Sequence, residues 1–216
     1  MKRTIFFIAY FLTPAIPVAL YMRSLGGGSG VYPGSVALGI TAFILICNQY
    51  ILASRPAFIV KALGLKGLLA FHGIMPIVLI GMAGMHSQLK KAAGFPDDTL
   101  QATIGAATLV VFIAAAVLAV LFLANINLPI ALKLREFRKW AQERLGLGYK
   151  LTRALHNVTV VAGLAIMVHV LLASSSDFTA NPVGAGWMTA WLALSLGLYA
   201  RYRLNGRKAP ATRAPA

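Results

Sequence analysis

The chain has 216 residues, a formal net charge of +15 and a mean hydropathy of +0.77; 59% of its residues are apolar and only 12% are charged. A water-soluble domain carries roughly a quarter charged residues, so half that fraction argues against a soluble domain and for lipid as the solvent. The excess Lys and Arg sit between long apolar runs and not on one soluble face, so they read as topology signals and not as a nucleic-acid surface.

A helix needs about 20 apolar residues to cross the hydrocarbon core of a bilayer. Six stretches meet or approach that length: Thr4–Met22, Tyr32–Ala53, Lys66–Ser87, Ala102–Ala124, Thr152–Ser174 and Val183–Tyr202. The first is interrupted by Pro14 and Pro17 and preceded by Lys2 and Arg3, which resembles a signal-peptide start. No small-x-small cleavage site follows, so it is read as a retained helix. Cys47, the single cysteine, lies in the second stretch and cannot form an internal disulfide. The fourth has no charged residue over 23 positions. The expected fold is an all-α, six-helix transmembrane bundle over residues 1–205, followed by a basic Pro/Ala-rich tail or linker at 206–216.

With the N-terminus in the cytoplasm, 17 of the 20 basic residues fall on the cytoplasmic side and only Arg23, Lys90 and Lys91 fall outside. Cytoplasmic loops carry an excess of Lys and Arg, so six spans with both termini cytoplasmic, in an inner or plasma membrane, are expected. Outside, the Gly-rich stretch Leu25–Gly30 reads as a connector; it follows no strand and precedes no GK[ST], so it is no phosphate loop. The stretch beginning Ser174-Ser175-Ser176-Asp177 is short and polar. In the long loop Asn125–Lys150, Leu134, Phe137, Ala141 and Leu145 recur at helical spacing with Arg135, Arg138, Lys139 and Arg144 between them. That pattern predicts an amphipathic helix on the membrane surface, anchoring on lipid or docking a partner protein.

All four histidines lie in two of the six stretches: His72 and His86 in the third, His156 and His169 in the fifth. Ionisable residues inside a membrane are costly and mark functional sites by default. A lone helical histidine is more often a packed side chain than a ligand, but four of them at matched depths reverse that balance. A neutral imidazole is a strong axial ligand for haem iron, and coordination offsets its desolvation. His72 and His86 are 14 residues apart, which puts both on one face about 21 Å apart along the helix axis. His156 and His169 are 13 apart, and both helices run from inside to outside in this topology. Two such helices face to face would present two imidazole pairs, His72 with His156 nearer the cytoplasm and His86 with His169 nearer the outside. Thirteen residues leave the fifth-span pair about 140° apart on an ideal helix. Gly163, near the midpoint, is the expected site of a compensating distortion. Pro76, Gly73, Gly81 and Gly84 would let the third span bend and admit a bulky ring.

Met75, Met82, Met85 and Met167 are read as packing, and Trp140, Trp187 and Trp191 as anchors. Lys66, Lys150 and Arg153 lie near the inner pair, Lys90 and Lys91 near the outer pair, where haem propionates need donors and topology alone also places bases. A histidine-based proton or metal-ion transporter is the alternative reading. Proton relays also use membrane-embedded carboxylates, whereas Asp97, Asp98, Glu136, Glu143 and Asp177 all fall between the spans.

Gly64–His72 (GLKGLLAFH) followed by His86, and Thr152–His156 (TRALH) followed by Met167-Val-His169-Val, resemble the ferric-reductase-like transmembrane domain family. That family includes ferric reductases, NADPH oxidases and the haem subunit of the bacterial periplasmic methionine-sulfoxide reductase system. The resemblance implies two haems between helices three and five, with His72 and His156 as iron ligands of the inner one and His86 and His169 of the outer one. No C-x-x-C-H occurs for covalent attachment, so the haems would be b-type. With both axial positions taken, each iron would pass electrons and not bind substrate. The chain would thus be an oxidoreductase membrane subunit or domain, carrying electrons from a cytoplasmic flavin/NAD(P)H donor to an acceptor outside. Many members continue into a cytoplasmic flavin domain with an HPF[ST]-type motif. Here no fifth histidine follows, so FAD or FMN and NAD(P)H would reside on a flavoprotein reductase partner or on a C-terminal domain of a longer chain.

Overall fold

A computed structural model of the chain describes residues 2–26, 28–123, 131–173 and 177–205. The tail 206–216, the loop 124–130 and the polar residues Ser174–Ser176 lie outside the described residues, as do the side chains of Leu134 and Lys150. The fold is all-α: 84% helix, with no strand among the described residues. In chain order the helices are α1 (Arg3–Leu12), α2 (Ala15–Ser24), α3 (Val31–Ala53), α4 (Ala57–Ala92), α5 (Leu100–Leu118), α6 (Ala131–Leu145), α7 (Tyr149–His156), α8 (Val158–Leu171) and α9 (Pro182–Asn205). A π-helical turn, Ala119–Leu123, continues α5.

Six segments are long and apolar enough to cross a membrane: α1 with α2, α3, α4, α5 with its π-turn, α7 with α8, and α9. Their outer faces are built for lipid. Ile74, Ile77, Val110, Val161 and Val183 are each 60–66% exposed, and covering such a side chain with hydrocarbon instead of water stabilises it by about 1.5–3 kcal/mol. The chain is therefore a multi-pass membrane protein by its surface as well as by helix length. The spans alternate in direction. One end of the bundle carries Arg3, Arg55, Lys61, Lys66, Arg153, Arg201 and Arg203 (the basic end), and the opposite, far end carries Arg23, Lys90 and Lys91.

At the centre stands α3, which packs on α1, α2, α4, α8 and α9. Its apolar window is 67% buried, against 28% or less in the other five spans. That position explains its polar residues. Pro14 and Pro17 have no N–H to return to the carbonyls of Tyr10 and Thr13, and an unmet backbone group in lipid costs several kcal/mol. Asn48 of α3 answers the break between α1 and α2: its Nδ2 donates to the Tyr10 carbonyl (3.2 Å) and to Thr13 Oγ1 (2.7 Å). Its Oδ1 accepts from Trp191 Nε1 of α9 at 3.0 Å. One amide thus ties three spans together, and Trp191 is a core anchor.

The two histidine-bearing spans are each broken, and each break has a cause. In α4, Gly64 takes a left-handed conformation (φ 70°) and separates a short leading helix from the span proper, which starts beside the expected Lys66. In the fifth span the break falls at Asn157, directly after His156, and not at Gly163. There the α-ladder tightens to three-residue bonds, Asn157 N–H to the Ala154 carbonyl and Val160 N–H to the Asn157 carbonyl (both 3.0 Å). Two tyrosines pin the break. Tyr199 OH donates to Asn157 Oδ1 (2.9 Å) and Tyr50 OH donates to the Thr159 carbonyl (2.6 Å). Gly163 instead seats Tyr50, whose ring a Cβ there would strike. On the surface, α6 is the expected amphipathic helix. Ala141 is fully buried, Trp140 is half exposed, and Arg138 donates to the Val120 and Leu121 carbonyls at the π-turn. Glu136 and Glu143 lie exposed on this helix, so no Asp or Glu falls in any of the six spans.

Candidate functional site

Neither α7 nor α8 packs against α4 as a helix pair; α3 and α5 flank the gap between them. The four histidines reach into that gap, all half-buried. His72 faces His156 with ring centres 6.4 Å apart, and His86 faces His169 at 6.2 Å; in both pairs the rings are nearly perpendicular, at 84°. The first pair lies toward the basic end and the second toward the far end.

The spacing has chemical content. A metal–nitrogen bond of about 2.0 Å, with each nitrogen about 1 Å from its ring centre, puts two trans imidazoles about 6 Å centre to centre across the metal. Both observed pairs match that span. Two imidazoles alone leave most of a metal's coordination sphere empty, and no group of three or more His, Cys, Asp or Glu among the described residues could hold a bare ion. A planar macrocycle supplying four equatorial nitrogens is the partner that suits a facing pair.

The far-end pair is held by backbone. His86 Nδ1 bonds the Ser35 carbonyl of α3 at 2.6 Å, and His169 Nδ1 bonds the Gln101 carbonyl of α5 at 2.7 Å. A carbonyl can only accept, so Nδ1 carries the hydrogen and Nε2 keeps its lone pair free as a metal ligand. Within a helix, however, the carbonyl of residue i is covered by residue i+4. Here residue i+4 is glycine both times, Gly39 above Ser35 and Gly105 above Gln101. A Cβ at Gly39 would lie 2.9 Å from His86 Nδ1, and one at Gly105 would lie 2.8 Å from His169 Cε1. The missing side chains are what let the rings reach the carbonyls.

The basic-end pair is held differently. His72 Nδ1 and His156 Nδ1 are buried without a hydrogen bond of good geometry, although the Ala115 carbonyl of α5 lies toward His156. Pro76, four residues after His72, has no N–H to offer the His72 carbonyl. Phe71 fixes this part of α4 by edge contacts with Phe6, Phe7, Tyr10 and Phe11.

Among the bases expected nearby, Lys66, Lys91 and Arg153 are exposed, and Lys91 pairs with Asp97 at 2.9 Å. Among the described residues, Arg55 is a cation within electrostatic reach of His72, and sequence reasoning missed it. It is half-buried and holds a left-handed backbone (φ 51°) that non-glycine residues rarely adopt. Met75 and Met167 belong to the packed core. A Cβ at Gly73, Gly81 or Gly84 would meet nothing within 4 Å, so these glycines border open space. Ser35, Gln101, Gly39 and Gly105 were also missed; their one sequence trace is a glycine four residues after a polar residue near the start of a span. Set against protein-family models, curated proteins and solved structures, the chain matches none of them.

Proposed function

We propose that the chain is a transmembrane electron conduit that holds two b-type haems, one between His72 and His156 and one between His86 and His169. The observation that carries this reading is the repetition at two depths of an imidazole pair spaced for one metal atom, at 6.4 and 6.2 Å. In this reading the chain is a ferric-reductase-like membrane subunit or domain. Its basic, cytoplasmic end meets a flavoprotein that supplies electrons from NAD(P)H, and its far end faces an acceptor outside. Bound haem would supply a one-electron carrier at each depth.

The protein's own part is to position, insulate and exclude. The Ser35 and Gln101 carbonyls set the tautomer and aim of His86 and His169. His72 with His156 and His86 with His169 would hold the two haems, which would supply one-electron transfer and not substrate binding. No carboxylate falls within the six spans, so the chain has no relay of membrane-embedded carboxylates. In this reading no residue need act as acid, base or nucleophile.

The test is an absorption spectrum of the purified protein, oxidised and dithionite-reduced, with haem counted as the pyridine haemochrome. Two low-spin b-type haems per chain are expected. A protein made in haem-replete cells with no haem would contradict the reading and favour a transporter or a purely structural subunit.

A further inference from the structure

Lys90 is the one basic residue on the far end whose charge is buried. Only 8% of it is exposed, and its ammonium has no hydrogen-bond or ion-pair partner. It lies one turn beyond His86 on α4 and so on the same face. It is within electrostatic reach of both His86 and His169. Its Nζ sits 4.0 Å from the centre of the Tyr32 ring and 4.2 Å from that of Phe95.

Two local structures build this setting. Tyr32, Ser35 and Gly39 form one stripe of α3, so the face that receives His86 also receives Lys90. The end of α4 is a Schellman turn: Phe95 N–H bonds the Lys90 carbonyl (3.0 Å), Gly94 N–H bonds the Lys91 carbonyl (2.9 Å), and Gly94 is left-handed (φ 76°). This turn folds Phe95 back over Lys90. The two rings steady the cation but neutralise none of its charge. A buried ammonium without a counter-charge is strongly disfavoured, and no Asp or Glu lies within salt-bridge distance of it.

We propose that Lys90 is the receiving cation for a carboxylate bound beside the His86/His169 pair. This rests on the electron-conduit reading, in which a haem at that depth carries two propionates. The sharing of one helix face by Lys90 and His86 favours a propionate as the carboxylate; a carboxylate-bearing acceptor molecule would have the same chemistry.

The test uses the full chain in nanodiscs, as wild type, Lys90→Met and Lys90→Arg, each loaded with haem b or with its dimethyl ester, which has no carboxylates. Readouts are the rate at which a haem scavenger strips each haem and the midpoint potential of each haem. With haem b, Lys90→Met should speed loss of the far-end haem at least tenfold. It should also lower that haem's potential by about 59 mV or more, the equivalent of tenfold in a one-electron equilibrium. The other haem should be unchanged, and Lys90→Arg should restore most of the effect. With the dimethyl ester, wild type and Lys90→Met should lose the far-end haem at the same rate. If with the ester the two differ in loss rate only when citrate, the carboxylate probe, is present, the carboxylate is an external one. A difference in loss rate that persists with the ester in the absence of citrate, or no difference at all, overturns the proposal. Wild-type protein that takes up no haem sinks the electron-conduit reading first, before any variant is compared.

Discussion

Replacing Gly105 with alanine tests whether backbone, and not chance packing, aims the far-end histidines. An added Cβ would sit 2.8 Å from His169 Cε1 and 2.9 Å from its Nδ1, where ordinary contacts begin at 3.4 Å. The ring must therefore retreat by roughly half an ångström, and its 2.7 Å bond to the Gln101 carbonyl stretches or breaks. The net loss of such a bond costs about 0.5–1.5 kcal/mol, and a side chain forced off its rotamer costs about as much again. Together these give about 1–3 kcal/mol, or roughly 5- to 150-fold weaker haem retention at that site. The His72/His156 site lies about 20 Å away along the bundle and should be untouched, since distant sites act independently. The assay is the rate of haem transfer to a scavenger, resolved by the two haems' reduced spectra. Gly197→Ala is the control, since a Cβ there meets nothing within 4 Å. If Gly105→Ala and Gly197→Ala lose haem at the same rate, the glycine-and-carbonyl account of the site is wrong.

His86→Ala or His169→Ala should remove one haem and leave the other reducible by a donor at the basic end; equal loss of both haems from a folded protein would argue against pairing by depth. Because both ring pairs cross at 84°, electron paramagnetic resonance of the oxidised protein should show the strongly anisotropic low-spin signals of perpendicular axial imidazoles. A rhombic spectrum from parallel rings would refute the ring geometry. Asn48→Leu should lower stability by about 1–3 kcal/mol, since it strips the Tyr10 carbonyl and Trp191 of a shared partner. Thermal unfolding in detergent measures this, and an unchanged midpoint would show that the Asn48 pin contributes nothing net.

Spans were legible in the sequence because lipid reduces the folding problem to length and hydropathy; the structure begins and ends each within a few residues, apart from the short helix before Gly64. The pairing of His72 with His156 and of His86 with His169 was legible too, because depth along a span is simply rise per residue. What could not be read was anything that depends on which helix stands beside which. The break after His156 needs Tyr50 from α3 and Tyr199 from α9 to hold it, so it falls at Asn157 and not at the more obvious Gly163. Gly39 and Gly105 gain meaning only when a histidine from another span arrives above them. The same holds for cations: sequence proximity favoured Lys66, Lys150 and Arg153 for the basic end, whereas folding brings Arg55 there from the turn between α3 and α4.

The central claim is that electrons cross the membrane through this chain. Liposomes containing the haem-loaded protein, with a reduced flavin donor inside, a membrane-impermeant acceptor outside and a potential-sensitive dye, test it most directly. An electron moving outward down an inside-negative potential gains about 2.3 kcal/mol per 100 mV, so turnover should depolarise the vesicles and slow when the imposed potential is reversed. His86→Ala should abolish both effects. Turnover that leaves the dye silent and ignores the imposed potential would place donor and acceptor on the same side, and would contradict the account.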